Sequence, residues 1–456
     1  MLSGGRVMPA DRPQKVFCFY FLVYFLARVL FSLYLCIVKK IFFLLLALLP
    51  VLTVQAQQSV DSSAGPVGVR QSDGGAVELT AAQSLAAAYD SVEVSLLTCA
   101  PHEEVYSLYG HTALRWHDLR TGRDLVFNWG IFNFGKPYFV LRFVFGLTDY
   151  ELGVNDFEPF AAYYRRWGAM VSEQVLSLTA TEKQRLEQRL AENCRPENRV
   201  YRYNYFYDNC STRPRDILED CIDGQVDYAP RPDFEPSFRA MIRQKTARHE
   251  WATEGNDLLL GVRADLRTTR QEQEFLPENL LYDFDHARIH AADGSWRPLV
   301  AERRVAVPPG VQVVERDFVL TPLETGLALL LLSLALFAVE WRRRRTFRWW
   351  DALLMSVTGL AGCIIFVMLF SQHPTTSTNL QVLLLNPIHL FYVSAIVRRR
   401  PTRYWQILLA MVLLLFVGGL FQHYATLTPF LALCLLLRVV IHLRCDGSTI
   451  LKKRPS

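Results

Sequence analysis

The sequence predicts an α+β water-soluble domain followed by an α-helical membrane domain with five spans. The composition changes near residue 318, because residues 91–318 mix polar and apolar side chains whereas residues 319–445 consist largely of apolar runs. Each of those runs is close to the roughly 20 residues that a helix needs to cross a bilayer. Strand-like and helix-like patterns are mixed in the first part, which is typical of an α+β domain.

The charges between the five spans predict how the membrane domain is oriented. We place the spans near residues 319–340, 350–371, 380–397, 404–423 and 426–442. Lys and Arg cluster in the connections after spans one and three and after span five, whereas the other two connections carry neither. By the positive-inside rule, the soluble domain lies outside the inner membrane and the tail, residues 446–456, lies in the cytoplasm. Span five is the least regular because it is short and contains Arg438.

The N-terminal region is predicted to direct export. Lys39 and Lys40 precede a short apolar run that ends at Ala56, so residues 1–56 are typical of a targeting region with a secretory signal cleaved near Ala56. A second apolar stretch lies before residue 38. It is either a true N-terminal span or the result of an upstream start, and we favour a translation start near residue 38. Residues 57–90 are expected to be a flexible lead-in.

The charge and the cysteines argue against two other classes of protein. The formal net charge of +5 is small and the excess Lys and Arg lies beside the apolar runs, which does not predict a nucleic-acid partner. None of the nine cysteines has the spacing of a zinc site, and we expect neither a metal nor a cofactor. In an oxidising compartment Cys194 and Cys221 could pair, a possibility that the sequence leaves open.

The predicted elements of the soluble domain include one central hairpin. Residues 111–117 and 125–132 flank a turn-forming segment and are expected to pair. The other predicted elements are a strand at 91–98, helices at 158–167 and 180–193, the latter starting at Thr181, a strand or extended segment at 200–207, and a helix that begins just after Cys210 with Pro214 in its first turn. Residues 255–318 show too little periodicity for an assignment.

Cys210 is the candidate nucleophile. It lies at or just before the start of a predicted helix, where free backbone N–H groups and the helix dipole favour a thiolate. The same N–H groups are expected to form an oxyanion hole when a carbonyl is attacked. Cys99 is the competing cysteine, but it follows a strand and has no comparable dipole.

His111 is the candidate base, with His102 and His117 as competitors. An imidazole beside a thiol can take its proton and so allow acyl transfer through a thioester. If the hairpin loop spans residues 119–122, Asn128 lies diagonal to His111 on the same face of the sheet and can orient its ring. Asp208 is the alternative orienting group.

Further side chains are expected to contact a substrate. His373 and Asn386 are predicted near the outer ends of spans two and three, where polar groups often mark a substrate path. An aromatic run at residues 127–150 either lines an acyl-chain groove or forms an ordinary core. The expected substrate contacts are Asp208, Asn209, Trp129, His373 and Asn386.

Several segments together resemble the Lnb family. They are Tyr109-Gly110-His111-Thr112-Ala113-Leu114-Arg115, Phe127-Asn128-Trp129-Gly130, Tyr205-Phe206-Tyr207-Asp208-Asn209-Cys210-Ser211-Thr212-Arg213-Pro214-Arg215-Asp216, Gln372-His373-Pro374 and Asn386-Pro387. The likeness covers roughly residues 92–250 and 319–442, and the first 38 residues depart from the family's expected start. The His-before-Cys order also resembles the permuted papain-like fold of lecithin:retinol acyltransferase, in which the His lies on a strand and the Cys opens a helix.

The resemblance implies a permuted papain-like cysteine enzyme with lipoprotein N-acyltransferase activity. An acyl chain would move from a phospholipid donor to the N-terminal amine of a diacylglyceryl-cysteine lipoprotein acceptor. Carried over by motif, Cys210 would be the nucleophile and His111 the base. Two alternatives stay open. An envelope cysteine hydrolase, a peptidase or amidase of the same class, would use water as acceptor but needs only one membrane anchor, and a non-catalytic scaffold or sensor would not depend on Cys210.

Overall fold

The computed structural model describes residues 81–132, 138–232, 234–312, 319–398 and 403–451. The predicted targeting region, residues 1–56, lies outside the described residues, as do residues 57–80 of the predicted lead-in and the last residues of the tail.

The soluble part combines short strands with short helices. Its strands are β1 (Val92–Cys99), β2 (His111–Asp118), β3 (Arg123–Ile131), β4 (Asp149–Asp156), β5 (Val171–Leu176), β6 (Val200–Arg202), β7 (Gly224–Asp227), β8 (Arg288–Ala291), β9 (Trp296–Pro298) and β10 (Val300–Val307). Its helices are α1 (Ala81–Tyr89), α2 (Phe139–Val144), α3 (Phe157–Trp167), α4 (Ala180–Asn193), α5 (Thr212–Cys221), α6 (Phe238–Thr246), α7 (Glu250–Leu259), α8 (Arg270–Gln273) and α9 (Pro277–His286).

A seven-stranded sheet lies at the centre of the soluble part. Its strands pair antiparallel in the order β10-β5-β1-β2-β3-β4-β6, and β7, β8 and β9 form a smaller sheet. Successive side chains of a strand point to opposite faces. Leu96 therefore packs with Leu186 and Leu218 of α4 and α5, whereas its neighbour Leu97 packs with Phe160 of α3. The prediction of an α+β domain is confirmed at this level.

The predicted hairpin is confirmed as β2 and β3. Their register pairs Leu114 with Phe127 and leaves residues 119–122 as the loop. Gly122 has a φ of +71°, a backbone conformation that glycine adopts without steric strain because it has no Cβ atom. Helix α4 has the predicted bounds, but its start signal is Thr179 and not Thr181, because Thr179 and Glu182 form the reciprocal capping box of its first turn.

One expectation for this part is corrected, and one segment left unassigned from the sequence has regular structure. Residues 81–89, assigned to a flexible lead-in, form helix α1, which is tied to α4 by a hydrogen bond from the Tyr89 hydroxyl to Glu187. Residues 255–318 contain α8, α9 and three strands, one of which, β10, completes the edge of the main sheet. Periodicity did not reveal β10 because half of its side chains are exposed at a sheet edge, without strict alternation. Cys194 and Cys221 are free thiols.

The membrane domain contains helices α10 (Pro322–Arg343), α11 (Arg348–Met368), α12 (Ile388–Val397), α13 (Tyr404–Gly418) and α14 (Leu427–Leu451). By length and composition, four described segments can cross a bilayer: α10, α11, the segment Leu380–Val397 that ends in α12, and Leu427–Cys445 of α14. The fifth span was predicted to be short, but among the described apolar segments it is the fourth, helix α13, that falls below the length of a span. Its 15 residues rise only about 22 Å. Helix α14 also extends into the predicted tail.

Arg438 is accommodated in the fifth helix by a buried ion network. Its guanidinium donates to the Glu340 carboxylate of α10 and, at 2.6 Å, to Asp351 of α11. His442 lies one turn further along α14 and contacts the other Asp351 oxygen at 3.0 Å. All four side chains are at least nine-tenths buried, so the network joins three helices where water cannot solvate the charges.

The soluble part lies directly on one end of the membrane helices. The carboxylate of Glu254 in α7 accepts the backbone N–H groups of Thr426 and Leu427, and the amide of Asn379 donates to the Leu258 carbonyl at 2.7 Å. These buried and half-buried bonds run between α7 and the connections that carry no Lys or Arg. The sheet domain is therefore fixed on the weakly charged side of the membrane domain.

Candidate active site

His111 and Asn128 meet at the end of the central hairpin. His111 is the first residue of β2, and the β2–β3 register places Asn128 diagonal to it on the same face. The His111 Nε2–H group donates to the Asn128 Oδ1 atom at 2.5 Å. This bond leaves Nδ1 as the acceptor nitrogen of the neutral ring. The diagonal placement is as expected from the sequence.

Cys210 is held beside this pair by the loop that leads into α5. The side chain of Asn209 shapes the loop, because its Oδ1 atom accepts the backbone N–H groups of Ser211 and Thr212 while its Nδ2 atom donates to the carbonyls of Tyr205 and Phe275. Asn209 is buried. Its amide is thus occupied in shaping the loop, a positioning task, and direct contact of Asn209 with a substrate stays a prediction.

The thiol of Cys210 is hydrogen-bonded to the His111 ring. Burial alone would raise the pKa of this thiol, but the charge and hydrogen bond of His111, the Thr112 backbone N–H and the Ser211 hydroxyl lower it below its usual value. Burial alone would lower the pKa of His111, but the Cys210 thiolate and the bond to Asn128 raise it. Both shifts favour a thiolate–imidazolium pair.

The competing cysteine and histidines differ from this pair. Burial raises the pKa of the Cys99 thiol far above its usual value, and its neighbour is the Tyr164 hydroxyl. His102 is buried in the cavity described below, stacked on Trp167, and burial lowers its pKa. His117 lies at the far end of β2, six residues from His111. Cys210 and His111 are therefore the sulfur and imidazole that the described structure brings together with matched pKa shifts.

Two of the N–H groups expected to form the oxyanion hole are engaged elsewhere. The N–H groups of Ser211 and Thr212 at the start of α5 are bound by Asn209, so they do not face an incoming carbonyl. The Thr112 N–H group points at the Cys210 sulfur instead. The sequence could not predict this role of Thr112, because the direction of a backbone N–H group does not depend on the type of residue.

Asp208 is engaged away from the histidine. Its carboxylate forms a bidentate ion pair with Arg213, at 2.5 and 2.8 Å, and that guanidinium lies 3.6 Å over the Tyr201 ring. The structure therefore brings Asn128, and not Asp208, into contact with His111.

The prediction for Trp129 is wrong. This side chain is fully buried in the core on the opposite face of the sheet from Asn128, and its Nε1–H group donates to Asn193 at 2.9 Å. The reason is strand alternation, which sends adjacent side chains to opposite faces. Trp129 stabilises the packing of α4 on the sheet and does not line the cavity.

Cys210, His111 and Asn128 line a cavity of about 940 Å³. Its walls are mostly aromatic and aliphatic, and none of its described lining residues is Asp, Glu, Lys or Arg. The cavity runs between β2, β3, α3 and α7 and includes residues of the connection between α11 and α12. The lining from that membrane connection consists of His373, Thr375 and Thr376, with Met368 from the end of α11.

Only one of the two predicted membrane-domain residues faces this cavity. The His373 Nε2–H group donates to the Phe143 carbonyl at 3.3 Å, and burial lowers the pKa of the ring, which favours its neutral form. Asn386 instead bonds the Val382 carbonyl and the Ile388 N–H group at the break before α12. The prediction that Asn386 lies on a substrate path is corrected, because its amide shapes the helix break.

Two family models match the chain. The model described as the Lnb N-terminal periplasmic domain matches residues 80–244, and the model described as the Lnb transmembrane domain matches residues 314–448. Together they cover about two thirds of the chain. The first includes Cys210, His111 and Asn128, and the second includes the cavity-lining residues of the membrane domain. No curated protein and no solved structure matches the chain.

Proposed function

Because this chain belongs to the Lnb family, we propose that it is a lipoprotein N-acyltransferase. It moves an acyl chain from a phospholipid to the N-terminal amine of a diacylglyceryl-cysteine lipoprotein. The observation that carries this proposal is the joint position of Cys210, His111 and Asn128 in a cavity that has no charged lining among its described residues and is partly formed by the membrane domain. A permuted papain-like arrangement accounts for a strand-borne His111 preceding a Cys210 that opens a helix.

The first half-reaction uses the thiolate as nucleophile. The Cys210 sulfur attacks the carbonyl carbon of a phospholipid ester, a C–S bond forms and the C–O bond to glycerol breaks. The His111 imidazolium gives its Nδ1 proton to the departing glycerol oxygen. A lysophospholipid leaves, and the acyl chain stays on Cys210 as a thioester. Asn128 holds the imidazole plane throughout through its bond to Nε2–H.

The second half-reaction transfers the chain to nitrogen. The lipoprotein amine attacks the thioester carbon, a C–N bond forms, the C–S bond breaks and the neutral His111 ring takes the surplus amine proton. The thiolate–imidazolium pair is thereby restored, and no water or oxidant is consumed. Holding both lipids in one cavity replaces a bimolecular encounter, which can contribute about 7 kcal/mol or more.

The lining of the cavity favours transfer to a lipid over hydrolysis of cell-wall peptides. Burying an unpaired carboxylate or ammonium is costly, and peptidoglycan peptides carry both. An acyl chain gains about 0.8 kcal/mol for each CH₂ group that leaves water. Met368 and Thr376 of the membrane domain contribute to the same cavity, which suits a substrate that arrives from the bilayer.

Mass spectrometry of a lipoprotein N-terminus tests the proposal. A diacylated lipoprotein is incubated with the full-length chain in phospholipid vesicles, and the same mixture without the protein is the control. We expect a mass increase of one acyl group on the N-terminal amine and an equal amount of lysophospholipid. Release of free fatty acid or cleavage of the peptide, without amine acylation, would instead support the hydrolase.

Asn128 can be separated from Asp208 by mutation. We expect Asn128→Ala to lower kcat/KM by roughly 10- to 100-fold, since a hydrogen bond to a charged group contributes about 1.5–3 kcal/mol. Asp208→Asn should have a much smaller effect on the chemical step, because its carboxylate faces Arg213. Equal losses in the two variants would show that Asn128 has no special relation to the histidine.

The same variant predicts a change in pH dependence. The thiolate–imidazolium pair exists above the lowered pKa of Cys210 and below the raised pKa of His111, so activity is lost on either side of this window. The bond to Asn128 helps to raise the pKa of His111. In Asn128→Ala the alkaline limb of the kcat/KM profile should therefore move to lower pH.

We also propose that the soluble domain and the connection between α11 and α12 face the periplasm, with the C-terminus in the cytoplasm. Ser377 in that connection and Arg345 in the basic connection after α10 are both exposed. Ser377→Cys should react with an impermeant maleimide in intact spheroplasts, and Arg345→Cys should react only after lysis. The reverse pattern would invert the proposed topology.

A further inference from the structure

One wall of the cavity is a single face of helix α7. Ala252, Gly255, Asn256 and Leu259 line the cavity, and their spacing of three and four residues places them on one side of a helix. We call these four residues the α7 cavity face. Gly255 and Ala252 are the smallest residue types, and they leave this wall of the cavity recessed.

No contact among the described residues requires the glycine at position 255. Glycine within a helix costs about 1 kcal/mol relative to alanine. A Cβ atom built on Gly255 would meet no described heavy atom within 4 Å, whereas one on Gly110 would lie 2.8 Å from the Cys99 carbonyl and one on Gly261 2.3 Å from that of Thr378. Close packing explains the latter two glycines. Gly255 is exposed and lines the cavity, so its missing side chain leaves open space at the cavity wall.

Helix α7 is held in place by its other side. Trp251 donates to the Leu320 carbonyl at 2.7 Å, and the carboxylate of Glu254 accepts the N–H groups of Thr426 and Leu427. The carbonyl of Asp257 accepts the Gln381 amide at 2.9 Å. The helix thus lies on the membrane domain with its opposite side toward the cavity, so its small residues form a fixed wall rather than a mobile one.

We propose that the α7 cavity face, through Gly255 and Ala252, sets the length of the acyl chain that the site accepts. This inference rests on the proposed function and adds to it the residues that select among donor lipids. A chain bound as a thioester on Cys210 shares the cavity with Gly255, and apolar residues including Leu259 and Met368 surround it. Its binding strengthens with each CH₂ group that the recessed wall admits. A larger side chain at residue 255 or 252 shortens the space and favours a shorter chain.

A competition between two donors tests this inference. Full-length protein is placed in vesicles that contain equal amounts of dipalmitoyl and dilauroyl phospholipid, and the acyl group on the acceptor amine is identified by mass spectrometry. In Gly255→Phe we expect the palmitoyl-to-lauroyl ratio to fall roughly tenfold or more relative to the unmodified chain, as when about two CH₂ groups lose their burial. Gly255→Ala, which improves helix propensity without filling the space, should keep the ratio.

Ala240→Phe is the matched control. Ala240 is exposed on α6 and is not among the residues that line the cavity, so the same aromatic group there should leave the ratio unchanged. If Gly255→Phe does not accumulate in the membrane, Ala252→Leu on the same face carries the same expectation. An unchanged ratio in an active Gly255→Phe or Ala252→Leu protein would overturn the inference and leave the acyltransferase proposal standing. Absence of any amine acylation by the unmodified chain would overturn both.

Discussion

Cys210→Ala should abolish N-acylation of lipoproteins while the protein still inserts and folds. The thiolate forms the covalent bond to the acyl group, and alanine offers no replacement. His111→Ala should lower kcat/KM by roughly 100- to 10,000-fold, the range that a positioned acid–base group contributes. The measurement is the fraction of triacylated lipoprotein in cells that carry each variant as their sole copy, read by mass spectrometry.

Cys194→Ala is the control for the loss of a thiol. Cys194 is a free, partly exposed cysteine of the same domain that does not line the cavity, so its replacement should leave acylation unchanged. Membrane-fraction blots of all three variants establish that the protein is present. Normal triacylation in the Cys210→Ala cells would rule out the thioester mechanism, and it would point to the non-catalytic scaffold.

Arg438→Leu should destabilise the membrane domain by about 3–5 kcal/mol, the usual result of removing one partner of a buried ion pair. Without the guanidinium, the carboxylates of Glu340 and Asp351 stay buried without their shared cation. Thermal unfolding of the full-length protein in detergent provides the measurement. Arg342→Leu is the control. Arg342 is exposed and lies two residues after Glu340 on α10, so its replacement should change the unfolding midpoint little.

A neutral network separates charge from packing. In the triple variant Arg438→Met, Glu340→Gln and Asp351→Asn, no formal charge is left to compensate among these three, and we expect most of the lost stability to return. If Arg438→Leu unfolds like the parent protein, the three side chains are solvated and the network does not join the helices.

The site shows how far local patterns reach. The loop of the hairpin follows from turn-forming residues between two apolar segments, and a register with that loop puts Asn128 beside His111. The same alternation places its neighbour Trp129 on the opposite face of the sheet, away from the cavity. This followed from the sequence, but the prediction grouped Trp129 with Asn128 because the two are adjacent in one motif. From the sequence, Asp208 was the alternative orienting group for His111. Its ion pair with Arg213, five residues away, removes it from the site.

In the membrane domain, composition alone could not predict contacts between distant helices. Composition located the apolar segments and their basic connections, but it ranked span five as the weak one because Arg438 interrupts it. Burial of Arg438 between Glu340 and Asp351 comes from helices almost one hundred residues earlier in the chain. Helix α13 is shorter than the fifth helix because it ends at Gly418, and hydropathy alone does not indicate that end.

By itself the sequence determined the order of a soluble and a membrane domain, the central hairpin, the helix after Cys210 and the family, because periodicity, turn residues and local motifs are written in neighbouring positions. Only the tertiary structure decided which imidazole meets which sulfur, which N–H groups stay available and where the cavity lies. Those features arise from contacts between segments far apart in the chain, such as α7 against Thr426 and Cys210 against His111. The packing of the whole domain, rather than any local pattern, fixes such distances.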